Sequence, residues 1–265
     1  MRRGGFRGAL GMDLRRAFGP QFWLCVVLVA GLHIHANSVS FGGGFSLVYM
    51  YNEAVTIEDY MQNLNLILIS TVFSTAFLDD FHSEFYRFQL MRCSRAQYLA
   101  AKLSACALSA FLCMWLGNAL YLLAMRTSAP LVLSEDIARS YVDAYALNGC
   151  ALLQEGRPVA YLLTAVTLRS IAMIFWPLCA MAISAYVPNR FVVLGMPWLL
   201  MYAIGMAESL MGVPYGRRFS EFTSGGATFV MPGTALAQLL IRYLPCIAVC
   251  AAGFCIGAER RLKNG

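Results

Sequence analysis

The chain has 265 residues, 59% of them hydrophobic and only 13% charged, with a formal net charge of +6. A soluble domain carries about 25% charged residues, so this composition excludes a globular surface covered by water and calls for lipid over much of the exterior. At ~20 residues per crossing, the length fits one all-α bundle of six transmembrane helices, a single domain over residues 1–265.

In chain order, Phe6, Leu10, Leu14 and Phe18 recur every four residues, while Arg7, Arg15 and Arg16 fall on other faces. This spacing predicts an amphipathic helix over residues 1–19 at the cytoplasmic membrane interface, where basic side chains meet anionic lipid. Leu10, Leu14, Arg15, Arg16 and Phe18 are its lipid-contacting residues; the plainer reading is a positively charged anchor with no further role. Apolar runs follow at 20–36, 61–78, 103–125, 171–187, 191–210 and 236–258. A segment in hydrocarbon must satisfy its own backbone groups, so each run is a helix. The first has no small-x-small cleavage site after it and reads as a retained span. Pro177, Pro197 and Pro245 fall inside runs, where proline kinks a helix.

Basic residues set the direction. Arg2, Arg3, Arg7, Arg15, Arg16, Arg87, Arg92, Arg95, Lys102, Arg190, Arg260, Arg261 and Lys263 fall on one side, against Arg126, Arg139, Arg157, Arg217 and Arg218 on the other. Both termini are therefore expected in the cytoplasm, with Arg169 and Arg242 at span edges. The outer segments are an acidic loop with Glu53, Glu58 and Asp59, a loop and surface helix over 126–170, and a Gly/Pro-rich re-entrant segment over 211–235. Residues 188–190 form a tight inner turn.

The cytoplasmic loop over residues 79–102 carries the most information. Phe77, Phe81, Phe85 and Phe88 lie along one helical stripe, Asp79, Asp80 and Glu84 sit where carboxylates favour a helix N-terminus, and Arg87 and Arg92 come later. Ser94 and Gln97 form a capping-box pattern that opens the third span. Exposed aromatics need a cover, either lipid or a groove on a cytosolic protein that takes the helix.

Polar residues inside spans face protein or water. Asn63, Ser70 and Ser74 on the second span either line a route at a dimer interface or bind helix to helix; Asn118 is of the same kind. Glu208 near the outer end of the fifth span either belongs to an extracellular gate or reaches the headgroups. His33 and His35 point to different helix faces. The nine cysteines lack zinc-site spacing and read as small packing residues. No catalytic or metal site is expected, and no mid-span carboxylate or histidine pair supports a membrane-embedded enzyme. The absence of a GxxxxGK[ST] loop leaves the chain without that route to ATP phosphates.

An acidic residue ending the second span, a loop helix, and Arg92-x-Ser94-Arg95-x-x-Tyr98-x-x-x-Lys102 together resemble the permeases of type-two ABC exporters. Ile183-Ser184, Asn189 and Pro197 around the inner turn, and the basic tail, agree with that family. The resemblance implies a coupling helix bearing Asp80, Phe81, Glu84, Phe85, Phe88 and Arg92, seated on a separate ABC ATPase present in two copies. It also implies a second permease, identical or homologous, and export of a peptide or antimicrobial compound across a bacterial plasma membrane. ATP and magnesium would be bound by the partner, no cofactor by this chain, and no nucleic acid is involved. The alternative function is a membrane immunity protein that sequesters a toxin without transport.

Overall fold

A computed structural model describes residues 5–40, 45–56, 59–133, 152–153, 155–214, 218–219 and 235–264. Its elements are α1 (Gly5–Ala17), α2 (Pro20–Ser40), α3 (Leu47–Thr56), α4 (Asp59–Phe73), α5 (Ala76–His82), α6 (Phe85–Leu90), α7 (Arg95–Met125), α8 (Pro158–Met173), α9 (Phe175–Ser184), α10 (Arg190–Leu210) and α11 (Ala235–Asn264). The described residues are all-helical, without strands. Among the described residues, five helical stretches (α8 and α9 counting as one) are long and apolar enough to cross a membrane, or six if α4 and α5, bent by 42° at their junction, make one span. This set of apolar helices points to a multi-pass membrane protein.

Local chemistry explains the breaks. At the α4–α5 bend, Thr71 Oγ1 bonds back to the Leu68 carbonyl at 2.7 Å, and Ser74 Oγ leaves its own helix to reach the Pro177 carbonyl at 3.1 Å; hydroxyl back-bonding of this kind bends helices. The α8–α9 break at Ile174 lies just before Pro177, whose ring and missing N–H disrupt the preceding turn. Pro197 and Pro245 instead sit within single helices.

Two expected boundaries move. The fourth crossing begins at Pro158 rather than at residue 171, so the helix expected on the outer surface is the first part of the Pro158–Ser184 span. Arg169 is consequently an interior residue of that candidate span rather than an edge residue. The third begins at Arg95, which takes Lys102 out of the loop and into α7. Most of the expected re-entrant segment, 215–217 and 220–235 apart from the first residue of α11, lies outside the described residues or at their margin.

The largest core joins Phe22, Val26 and Val29 of α2, Leu66, Ile69 and Phe73 of α4, Phe77 of α5, Cys106 and Met114 of α7, and Trp176 of α9. Between lipid-soluble helices, close packing rather than water exclusion holds such an arrangement. Gly117 of α7 lets α2 approach until a Cβ there would meet Val29 Cγ1 at 2.6 Å and Val29 Cβ at 2.8 Å. A second core, Ala30, Leu47, Tyr51, Tyr121, Tyr161 and Val166 among others, closes the opposite end under α3. There the Leu47 N–H donates to the Pro130 carbonyl at 2.8 Å. Helix α10 is peripheral: Val193, Pro197 and Glu208 are its buried residues.

Candidate functional site

The chain between α4 and α7 folds as an elbow. Helix α5 ends where the Ser83 N–H and Oγ both reach the Asp79 carbonyl, at 3.0 and 2.7 Å. Glu84 then takes a left-handed conformation (φ 56°), uncommon for a residue with a Cβ, and this turns the chain into α6. The single aromatic stripe expected from the sequence is thereby split, with Phe77 and Phe81 on α5 and Phe85 and Phe88 on α6. The predicted capping box is present: the Gln97 N–H donates to Ser94 Oγ at 3.3 Å and the Ser94 N–H to Gln97 Oε1 at 3.1 Å.

Under the elbow lies a buried ionic cluster built by α1, α5 and α7. Lys102 Nζ stands 2.6 Å from Asp13 Oδ1 and 2.7 Å from Asp80 Oδ2, and all three side chains are shielded from solvent. Arg16 Nη1 is 2.5 Å from Asp80 Oδ1 and 4.0 Å from Asp13 Oδ1. The Tyr98 hydroxyl, one turn before Lys102 on the same face of α7, donates to Asp80 Oδ2 at 3.2 Å. Two carboxylates thus meet two cations, and the cluster is neutral as a whole. Its bonds to Asp80 keep the Arg16 guanidinium protonated beyond its ordinary range, against the opposing effect of burial. Burial pushes the Asp13 carboxyl above its ordinary value, and Lys102 pulls it part of the way back. Asp13 Oδ2 has no hydrogen-bond partner.

Around this cluster the predicted coupling residues divide into an inner and an outer set. Asp80 is fully buried and faces inward. Phe81 is half-buried, stacked on Tyr86 at 5.4 Å between ring centroids with Arg261 of α11 over its ring at 5.4 Å. Phe85 is half-buried beneath Arg16, whose guanidinium lies 5.5 Å from the ring centroid. Glu84, Phe88 and Arg92 are exposed, and Phe88 (61%) is joined by Met91 (73%), which the sequence reading did not single out. Glu84 pairs with Arg87 at 3.2 Å. Beside them, Met91, Arg92 and Arg95 face Gly5 of α1 across an open cleft of ≈ 830 Å³.

The same end of the bundle gathers further charges. Arg190, at the start of α10, reaches Asp79 at 2.7 Å. Arg261 donates to the Ser184 and Tyr186 carbonyls at 3.3 and 3.2 Å, satisfying acceptors left at the end of α9. Asn189 caps α10 by accepting from the Phe191 and Val192 N–H groups at 2.9 and 3.3 Å.

In α1, the buried residues are Ala9, Asp13 and Ala17, a stripe that lies against α7. Leu10, Leu14 and Phe18 flank it half-buried and pack on the main core, while Arg15 and Arg16 are exposed. The expected apolar face is therefore partly committed to the protein itself. Of the candidate pathway residues, Ser74 binds α4 to α9 through Pro177, and Ser70 is fully buried without a partner for its hydroxyl. The side chain of Asn63 lies outside the described residues. Glu208 is buried and accepts a short hydrogen bond from the Phe219 N–H, which anchors the turn after α10. Ser74 and Glu208 thus fix different parts of the chain, the contact with α9 and the turn after α10.

Sequence reasoning missed Arg16, Tyr98 and Lys102 as partners of Asp80, and Asp13 as the second carboxylate on Lys102. The i, i+4 spacing of Tyr98 and Lys102 was a usable signal, since it aligns both on one helix face; Asp13 had none beyond being acidic in a basic segment. Comparison with family models, curated proteins and solved structures gave no match at any of the three levels.

Proposed function

We propose that the chain is the permease subunit of an ATP-driven exporter of the ABC type, with both termini and the α5–α6 elbow in the cytoplasm. The observation that carries this reading is the attachment of the elbow: Asp80 binds it to α1 through Arg16 and to α7 through Lys102 and Tyr98, while Glu84, Phe88, Met91 and Arg92 remain on the outside. A cytosolic ATPase that gripped the outer residues would move helices that the inner residues hold together. Such a grip works as a switch only if the ATPase binds the two arrangements of the bundle with different affinity. Two ATPases and a second permease, identical or homologous, complete the proposed assembly, which moves a peptide or antimicrobial compound outward across a bacterial plasma membrane.

The structure sharpens the test. Phe88→Asp and Glu84→Arg alter exposed positions and should leave folding intact while abolishing co-purification of a Walker-loop ATPase encoded beside this chain. Phe85→Asp should instead lower stability, because Phe85 lies under Arg16. A cysteine at position 88 should react with a membrane-impermeant maleimide only from the cytoplasmic side. Labelling from outside, or undiminished ATPase capture by both surface variants, overturns the reading.

A further inference from the structure

A second buried charge lies on α8, well away from the elbow. Arg169 is 1% exposed, and among the described residues none of its guanidinium nitrogens has a hydrogen-bond partner. It stands roughly 16 Å along the helix axis from Pro158 and roughly 22 Å from Ser184, near the middle of its span. Its flanking turns belong to different cores, Ala165 and Val166 to the one under α3, Leu168 and Ala172 to the main one. The guanidinium is thus placed where the two apolar cores meet.

The polar groups around it are incomplete in a consistent way. Arg169 is within electrostatic reach of His33, Tyr51 and Tyr121. The rings of His33 and Tyr51 lie 5.5 and 6.4 Å from that of Tyr121. Asn37 donates through Nδ2 to the Tyr121 hydroxyl, which leaves that hydroxyl's proton free to point elsewhere. Tyr51 has no partner for its hydroxyl. His33 Nδ1 is 2.8 Å from the Val29 carbonyl, so it carries the proton and Nε2 is left as an acceptor. The donors still outnumber the acceptors: an Arg169 fork with all its N–H groups and two phenolic hydroxyls, against His33 Nε2, Asn37 Oδ1 and the remaining lone pairs of the two phenolic oxygens. No carboxylate pairs with Arg169 among the described residues. An intramembrane cation of this kind calls for a counter-charge.

We propose that Arg169, with Tyr51 and Tyr121, forms a binding site for one singly charged anion, a halide or a carboxylate, inside the helical bundle. One cation balances one negative charge, and a phosphate dianion would exceed it. The site is independent of the elbow and of the ATPase reading. A halide would be a free ion from solution, whereas a carboxylate would belong to a larger molecule entering the bundle.

The test uses the full-length protein purified in detergent, in sodium sulfate at matched ionic strength. Chloride, bromide, formate and acetate are titrated separately while the melting temperature is followed, since a ligand bound only by the native state raises it saturably. The expected result is a saturable rise with at least one of these anions that disappears in Arg169→Gln. A response to halides identifies a free-ion site; a response to formate and acetate alone identifies a carboxylate site. Tyr51→Phe removes one hydroxyl with little change in volume and should weaken binding by roughly tenfold, which keeps the test open should Arg169→Gln fail to fold. No saturable shift in the unaltered protein, an equal shift in Arg169→Gln, or an unchanged midpoint in Tyr51→Phe overturns the proposal.

Discussion

Replacing Lys102 with Met removes the cation that stands between Asp13 and Asp80 while keeping most of the side-chain volume. At an effective dielectric of 20, each of its two contacts, 2.6 and 2.7 Å, has a gross Coulomb energy of about 6 kcal/mol. Desolvation of Lys102 cancels much of this, and the net cost of breaking a buried pair by deleting one partner is about 3–5 kcal/mol. Arg16 remains to hold Asp80, but it is 4.0 Å from Asp13, so Asp13 suffers most. The loss should depend on pH. A native carboxyl held above its ordinary value of 3.8 binds its proton more tightly folded than unfolded, so stability falls as pH rises through the native value and returns as pH falls. Without Lys102 the remaining downward pull is weaker, and the deficit of the variant should shrink as pH falls from neutral toward the ordinary carboxylate range. Unfolding in mixed micelles, followed by tryptophan fluorescence across that range, measures both effects. The double variant Asp13→Asn/Lys102→Met should recover at least ~1 kcal/mol of the loss. A cost below about 1 kcal/mol, or one that ignores pH, refutes the idea that this cluster is a mutually dependent unit.

Tyr98→Phe deletes only the hydroxyl that donates to Asp80 and should cost roughly 1.5–3 kcal/mol, the range for a hydrogen bond to a charged group; combined with Lys102→Met it should add less than the sum of the two, as a double-mutant cycle would show. Gly117→Ala places a methyl against Val29 Cβ, a branched position with little freedom to yield, and should lower stability by about 1–3 kcal/mol. An unchanged melting temperature for that variant refutes the close α2–α7 approach.

The apolar runs made the crossing helices legible, since no soluble arrangement could satisfy them. The boundaries failed where amphipathicity was mistaken for a surface position. Residues 158–170 carry helical periodicity with polar gaps, but those gaps include Arg169 and Ser170, which are turned inward, so the pattern described a helix with a polar interior face. Lys102 was read as a loop residue because lysine beside a span is usually wetted; Asp13 and Asp80 make its burial tolerable, and neither pairing is visible along the chain. The reverse holds for Ser94 and Gln97, whose capping partners are three residues away and therefore local enough to read directly. In the elbow, the acidic and aromatic residues were found, but their division into inner and outer sets was not, because it follows from the left-handed turn at Glu84, a conformation that nothing in an ordinary glutamate announces.

Helix α7 runs 31 residues without a proline, roughly 46 Å from end to end. Lys102 lies near one end and Tyr121 near the other, roughly 28 Å apart along the axis. Lys102 of the ionic cluster and Tyr121 beside Arg169 are therefore carried by one helix. A tilt of roughly 10° about its midpoint would carry each end roughly 4 Å in opposite directions, given that length. A displacement of α7 at the elbow would therefore carry Tyr121 with it.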